Sequence, residues 1–502
     1  MTHTFDFDII IIGSGAGGGT MARALADTGA RILIVERGAV VPREPENWDP
    51  AAVWAGRRYR TPERWIDEHG YSFAPYTHYN VGGNTKFWGS VLYRLRKEDF
   101  DELPLMDGVS PAWPISYDEL APYYDRAEVM YHVRGATGFD PTDPPRAPYP
   151  HAPVPHAPGM AHLVKGLQAL GLHPSPLPLG IIRPGEPDGC QLCSTCASFP
   201  CQIHTKSDAE VCGINEATRH PNVTLWTEAR ADRLHTDASG QRIESVDITR
   251  DGVTTRVGAP LVIVSCGAVN SAALLLKSAS DKHPNGLGNS SGLVGRRYMA
   301  HLATMMQAFH PFRRNTDVFQ KTVAINDFYL KGPDGQFPLG QIQSQGRTHG
   351  IMAKAVVPWI PLWVYNAWVS RGVDWLVMSE DLPSDHNRVT VDRNGRIQLH
   401  YRPNNERAHR LLVSEMKRIT RKLGFWTTIV HSHGRKNTTH QCGTLVFGHD
   451  PATSVLNPMC RTHDVENLYV VDASFFPSSA AVNPALTIIA QALRVADHIR
   501  RQ

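Results

Sequence analysis

No stretch of this sequence stays apolar for the roughly 20 residues that a membrane-spanning helix needs. The most apolar segment, Ala355 to Val369, is shorter and is broken by Pro358 and Pro361. Charge of one sign is also missing. The formal balance is +3 over 502 residues, so no polybasic membrane patch or nucleic-acid face is expected. Cysteine is sparse at eight residues, and a chain of this length buries enough apolar surface to fold without disulfides. Residues 1 to 8 show no positive n-region running into an apolar core, so no export signal is read and a cytoplasmic setting is expected. Internal repeats and low-complexity tracts are absent. What remains is 42% hydrophobic and 20% charged, the composition of an ordinary globular protein with more than one domain.

The most readable segment lies at the N-terminus. Asp8-Ile-Ile-Ile-Ile-Gly13 is a β-branched run with no polar face, as for a buried parallel strand. Gly13, Gly15 and Gly18 follow, then a helical pattern from Thr20 to Thr28, then a second strand, Arg31 to Glu36. The first glycine permits the tight turn and the second a close backbone approach to a pyrophosphate. The third permits close helix–strand packing. The helix N-terminus offers free N–H groups to phosphates. Glu36 ends the second strand, where a carboxylate accepts hydrogen bonds from an adenosine ribose, which favours NAD or FAD over NADP.

Other segments settle which dinucleotide is meant. Tyr79-Asn-Val-Gly82-Gly83-Asn84-Thr85-Lys-Phe87-Trp88-Gly89 resembles the flavin-facing loop of the glucose-methanol-choline (GMC) oxidoreductases. Cys266 to Ser278 resembles that family's second signature, with Asn270-Ser271-Ala272 where Gly-Ser-Pro is more usual. Gly286 to Gly295 with His301 resembles the segment that follows it. Val470-Val-Asp472-Ala473-Ser474 with Asn483-Pro484 resembles the flavin-closing segment. The resemblance runs from about residue 8 to residue 498 and is weakest from 310 to 430. It implies a doubly wound, Rossmann-like α/β FAD domain with an inserted mixed or antiparallel substrate domain. The expected division is 1–105, 160–308 and 434–502 for the FAD domain, with 106–159 and 309–433 for the substrate domain.

By the same resemblance, His440 is the catalytic base and Asn483 its hydrogen-bonding partner, 43 residues later. Imidazole suits this work because its ordinary pKa lies near working pH. An amide cannot act as a base but can hold the substrate oxygen. The residues expected to hold FAD are Gly13, Gly15, Gly18, Glu36, Gly83, Asn84, Thr85, Trp88, Asp472, Ala473, Asn483, Pro484 and Thr487. Pro484 opens a helix running to about Arg500, as proline prefers a first helical position, and the positive end of that helix would face the reduced flavin. Members that bind FAD covalently do so through a histidine at the place of Phe87. Phenylalanine cannot form that bond, so the FAD is expected to be non-covalent.

The implied reaction is hydride removal from a CH–OH group. The expected substrate is a sugar or glycoside, oxidised at a secondary hydroxyl to a keto-sugar as in pyranose-oxidase-like enzymes and glycoside 3-oxidases. The acceptor is O2, or a quinone or protein in a dehydrogenase; a lyase with structural FAD is a third reading. Homo-oligomers are possible. Gln341, Gln343 and Gln345 alternate on one strand and so share a face, which either lines a polar substrate pocket with His440 and Asn483 or is solvated. Trp359, Trp363, Trp368 and Trp375 either stack on sugar faces, form a lid or oligomer contact, or simply pack. Cys190-x2-Cys193-x2-Cys196-x4-Cys201, followed by Cys212, suits structural thiols, a local disulfide, zinc or an iron–sulfur cluster. No residue is assigned as a metal ligand. His431, His433, His449 and His463 are read as surface or structural. Helices are expected at Gly159–Leu172 and Ala408–Leu423, strands at Val223–Trp226 and Ala259–Ser265, and a hairpin turn at Asn394-Gly395 within an otherwise strand-like 310–400.

Overall fold

In the computed structural model, residues 5–432 and 438–502 are described; His433 lies outside them. Four isoleucines, Ile9–Ile12, form the central strand of a five-stranded sheet and are all buried. A strand covered on both faces has no place for a polar side chain, which is why this run has none. Each buried isoleucine contributes about 1.5–3 kcal/mol relative to exposure. The sheet order is Val223–Trp226, Ile32–Val35, Ile9–Ile12, Leu261–Val264, Leu468–Val470. All four pairings are parallel.

The chain leaves the central strand to one side and returns on the other, with Ile9 opposite both Ile32 and Leu261. The strand Ile9–Ile12 is thus the switch point of the sheet, and ligands of such sheets bind beyond the strands' carboxyl ends at that point. Helix Ala16–Leu25 begins there and packs against the terminal helix Ala485–Ile499. A three-stranded antiparallel meander, Ala229–Thr236, Ile243–Arg250 and Val253–Gly258, extends this half.

The second half is a six-stranded sheet with only antiparallel pairings. Its order is Thr427–Ser432, Leu302–Phe309, Gly372–Ser379, Gln341–Ser344, Val323–Ile325, Pro174–Pro176. Side chains alternate across it. Ile342, Trp375 and Val377 face a core shared with helices Pro158–Ala169 and Glu406–Lys422. Gln343, Asp374 and Leu376 face a cavity.

Three features differ from the sequence expectation. The strand Pro174–Pro176 pairs with Val323–Ile325, and helix Pro158–Ala169 packs under the same sheet, so residues 158–176 sit with the antiparallel sheet although 160 onward was expected in the nucleotide-binding part. The reason is tertiary: Met160, Leu163 and Leu167 bury against that sheet. Second, 350–369 is not strand but two short helices, Gly350–Val356 and Leu362–Val369. Pro358 and Pro361 separate them, one ending a helix and the other standing at the cap of the next; the aromatic and β-branched composition concealed both. Third, the four tryptophans part company. Trp375 is fully buried, Trp368 stacks on Phe309 with centroids 3.8 Å apart, and Trp359 and Trp363 are exposed. The Asn394-Gly395 turn joins an antiparallel pair, Arg388–Val391 and Ile397–His400, as expected.

Candidate active site

A single cavity of about 1460 Å³ runs from the carboxyl ends of the parallel strands to the face of the antiparallel sheet. At the first end the backbone makes the site. Gly13 has φ +99° and donates its N–H to the Val35 carbonyl at 2.8 Å; a Cβ there would fall 2.3 Å from the Ser265 oxygen. Gly15 has open space where its Cβ would be. Gly18 does not line the cavity. A Cβ on it would fall 1.9 Å from the Gly13 oxygen, the close helix–strand approach read for the third glycine.

Glu36 lines the cavity and accepts Ser14 Oγ at 2.5 Å, the Ser14 N–H at 3.1 Å and the Gly38 N–H at 2.9 Å. Burial pushes its carboxyl upward, and these donors oppose that. Asp472 works similarly. It accepts the N–H groups of Gly267 and Ser474 at 2.9 Å and the hydroxyls of Ser271 and Ser474. It therefore ties the loop after Leu261–Val264 to the segment after Leu468–Val470.

Gly83, Asn84, Thr85 and Trp88 line the cavity, as do Ala473, Asn483 and Pro484. Asn84 Oδ1 accepts the His78 N–H at 2.8 Å, and Thr85 Oγ1 accepts that of Ala209 at 2.9 Å. Phe87 stacks on His78 at 3.8 Å. Thr487 is a correction: it is fully buried outside the cavity, with its hydroxyl 2.8 Å from that of Tyr124. One turn into the helix, it faces the protein rather than the ligand. Helix Ala485–Ile499 starts at the cavity wall, with Pro484 at its cap.

His440 and Asn483 line the cavity together. Asn483 Nδ2 lies 3.5 Å from His440 Nε2, and Asn483 Oδ1 is buried without a hydrogen-bond partner. His440 Nδ1 lies 2.9 Å from His301 Nδ1, and His301 Nε2 lies 3.0 Å from the Ser479 carbonyl. The carbonyl can only accept, so His301 Nε2 carries a hydrogen. Burial pushes His301 down to about 4, so it is neutral at working pH and its Nδ1 is an acceptor. His440 Nδ1 must then donate, which leaves the lone pair of the neutral imidazole on Nε2, beside Asn483. A base with this tautomer takes a proton at Nε2, and His301 Nδ1 then accepts from the imidazolium that forms. The role of His301 was not legible beyond its place in a resembling segment, because a lone histidine announces no partner in sequence.

Asp381 holds this cluster from behind. It accepts the Ala300 N–H at 3.1 Å and Tyr401 OH at 2.9 Å, while its own N–H meets Ser479 Oγ at 3.0 Å.

At the far end, Gln343 lines the cavity with both amide atoms buried and unpartnered. Gln345 lines it too, but Gln341 does not: it is buried and gives its amide hydrogen to Asn326 Oδ1 at 2.9 Å. His431, expected to be surface or structural, lines the cavity. His449 Nε2 meets the Pro114 carbonyl and His463 Nε2 meets Ser454 Oγ, both away from it. Cys190, Cys193, Cys196, Cys201 and Cys212 are all free thiols. Burial pushes Cys190 and Cys212 up to about 12 and Cys196 up to about 11. Among the described residues no three His, Cys, Asp or Glu side chains converge as a metal site, and no helix is long and apolar enough to cross a membrane.

The models of the GMC oxidoreductase family match residues 8–303 and 383–492. This chain belongs to the GMC oxidoreductases. It is 33% identical to paromamine 6'-oxidase of Streptomyces fradiae, over 98% of this chain and 90% of the relative. It is 32% identical to 6'''-hydroxyparomomycin C oxidase of Streptomyces lividus, over 98% and 92%. Fructose dehydrogenase large subunit of Gluconobacter japonicus is 26% identical over 99% and 98%. In fold, pyridoxine 4-oxidase from Mesorbium loti superposes with a TM-score of 0.69 at 19% identity, covering 99% of this chain and all of that one. As a GMC oxidoreductase the protein is an FAD enzyme. The cavity fits FAD: Gly15 lines it with open space where a Cβ would be, a helix begins at Ala16, and the buried polar atoms Asn483 Oδ1, Trp88 Nε1 and Ser265 Oγ lack partners.

Proposed function

We propose that this GMC oxidoreductase oxidises a CH–OH group of a sugar or glycoside, with His440 as base and Asn483 as the anchor of the reacting oxygen. The observation that carries the reading is the His440–Asn483 pair, lining a cavity whose one end is built for a dinucleotide and whose other carries the unsatisfied amide of Gln343. FAD, when bound, supplies the hydride acceptor. The hydroxyl proton goes to His440 Nε2, and Asn483 Nδ2 donates a hydrogen bond to the same oxygen. Loss of that proton and of hydride from the carbon leaves a carbonyl. His301 holds the His440 ring and accepts from Nδ1 throughout. The sugar-acting names of several relatives support the substrate class.

The finer reading is a secondary ring hydroxyl oxidised to a ketone, with O2 as acceptor and non-covalent FAD held beside Phe87. Product analysis separates this from oxidation at a 6' position, which two relatives' names carry. The test is the anaerobic visible spectrum with a panel of sugars, glycosides and simple alcohols. Bleaching of the flavin bands by a sugar is the expected result, with recolouring in air. No bleaching by any of them would move the reading to a lyase. Acid precipitation should leave the yellow colour in the supernatant. His440→Ala should cost on the order of 10²- to 10⁴-fold in rate; a loss under roughly tenfold would remove His440 from the role of base.

A further inference from the structure

Two buried lysines stand beside the Trp88-Gly89 turn, and they are satisfied very differently. Lys206 gives its ammonium to three carbonyls, those of Phe199, Cys196 and Trp88, at 2.5, 3.0 and 3.2 Å. It is a structural clamp on the loop that carries them. Lys321 is only 3% exposed and lines the cavity. Its Nζ lies over Gly89, where a Cβ would come within 1.8 Å of it. Among the described residues no carboxylate acts on that ammonium; the ionisable neighbours it feels are Cys196 and Lys206. The cavity's nearby acid, Asp374, is already taken by the Thr348 N–H and hydroxyl at 2.9 Å and by Gln307 Nε2 at 3.0 Å. Burial and the Lys206 charge both act against the Lys321 ammonium, bringing it down to about 8, while Cys196 opposes them.

Gln343 lines the same cavity from the strand Gln341–Ser344. It pairs with Ala324, three residues from Lys321, and both its amide atoms are buried and unpartnered. A lysine this enclosed with no acid beside it, and an amide with both atoms buried and unpartnered, line one cavity, and such groups are costly unless a ligand completes them. The missing partner of a cation with no acid beside it is an anion, and a carboxylate can accept from an ammonium and from an amide N–H lining the same cavity.

We propose that Lys321 and Gln343 together anchor a carboxylate of the substrate, so that the chamber takes acidic sugars in preference to neutral or amino sugars. This rests on the sugar-oxidising reading above and adds its substrate class. The anchor sits on the antiparallel sheet and the reacting oxygen at His440 and Asn483, so the carboxylate and the oxidised hydroxyl belong to different parts of the ligand. Gly89 is the complement of Lys321: a larger residue there would displace the ammonium.

The experiment is calorimetric binding of D-glucuronate, D-glucose and D-glucosamine to the flavin-loaded enzyme, in wild type and in Lys321→Met. In the wild type, glucuronate should bind at least about tenfold tighter than glucose, with glucosamine weakest. In K321M the three affinities should converge, with glucose changed less than about threefold and the flavin content intact. Glucuronate no tighter than glucose in the wild type overturns the proposal, whether or not K321M folds. A preference that survives in K321M also overturns it. Anaerobic reduction in parallel keeps the two readings apart. Bleaching by neutral sugars without a glucuronate preference sinks only the anchor. A Lys321-dependent preference with no bleaching by any sugar keeps the anchor and sinks the oxidation.

Discussion

The two ends of the cavity are made of different materials. The end on the parallel sheet is backbone: glycines, a helix start, and carboxylates spent on neighbouring N–H groups. The end on the antiparallel sheet is side chain: Gln343 on the strand Gln341–Ser344, Gln345 just past its end, and Lys321 two residues ahead of Val323–Ile325. A backbone site tolerates almost no change of residue at its close contacts, since one Cβ collides with main chain that cannot move. A side-chain site tolerates substitution and changes what it recognises instead. The first end therefore fixes the cofactor, while the second is free to set the substrate.

The sharpest way to break this contrast is to add one methyl group at the backbone end. Gly18→Ala would put a Cβ 1.9 Å from the Gly13 oxygen and 3.0 Å from its carbonyl carbon, main chain that no rotamer change can move aside. The expected outcome is loss of flavin-loaded protein altogether, read as absence of the visible flavin bands after purification and a lowered Tm. Near-normal flavin content would show that the two segments can part cheaply, and the contrast would lose its basis. Overpacking costs of about 1–3 kcal/mol are usual where side chains can yield; here only backbone is available to yield.

Between the two ends, His301 tests whether the tautomer argument is real. His301→Phe keeps a ring but removes the acceptor for His440 Nδ1. The expected loss is roughly ten- to a hundredfold in kcat, the scale for removing a histidine's orienting partner, with KM little changed. His301→Gln should restore part of the rate, because its amide oxygen can accept the same hydrogen. The pH profile adds a second reading. Because burial holds His301 near 4, it stays neutral down to about that pH. The acid limb of kcat/KM above pH 5 therefore belongs to another group. In the folded protein a depressed histidine adds stability that is present above its ordinary 6.5 and is lost as pH falls through about 4. His301→Gln should flatten that loss in a Tm-against-pH series. Equal kcat losses for the Phe and Gln variants would reduce His301 to a packing role.

What the sequence disclosed follows the same division. Backbone sites leave signatures because few residues can occupy them: the glycine triplet, Glu36 at the end of its strand, Pro484 ahead of the terminal helix. Burial on both faces made Ile9–Ile12 and Leu261–Val264 readable, and alternation did the same for the hairpin at Asn394-Gly395. Side-chain sites leave weaker traces. Lys321 is one lysine among 51 basic residues, and only the fold lays its ammonium over Gly89. His301 gains its meaning from His440, 139 residues away. The helices at 350–369 were hidden because tryptophan, valine and isoleucine carry strand preference, and tertiary packing overrode it. Thr487 was misplaced by one turn of helix, since a motif gives spacing but not the direction a side chain takes.

The smallest expected effect separates two residues that the sequence treated alike. Gln341 and Gln343 share a strand and a face, yet Gln341 Nε2 is bonded within the protein and only its Oε1 is unpartnered, while both amide atoms of Gln343 are open. Gln341 is bonded to Asn326 and is absent from the cavity wall. Gln341→Ala should therefore cost about 1–3 kcal/mol of stability through the amide left unpaired on Asn326, with KM unchanged. Gln343→Ala removes a buried amide that no protein group satisfies. It should leave stability the same or slightly improved and raise KM for the preferred substrate roughly tenfold, a loss of about 1.4 kcal/mol of binding. Chemical denaturation and steady-state kinetics on the two variants give four numbers, which should fall in opposite pairs. If both variants raise KM together, the cavity continues past Asn326 in the working enzyme, and the substrate reaches one strand residue deeper than Gln343.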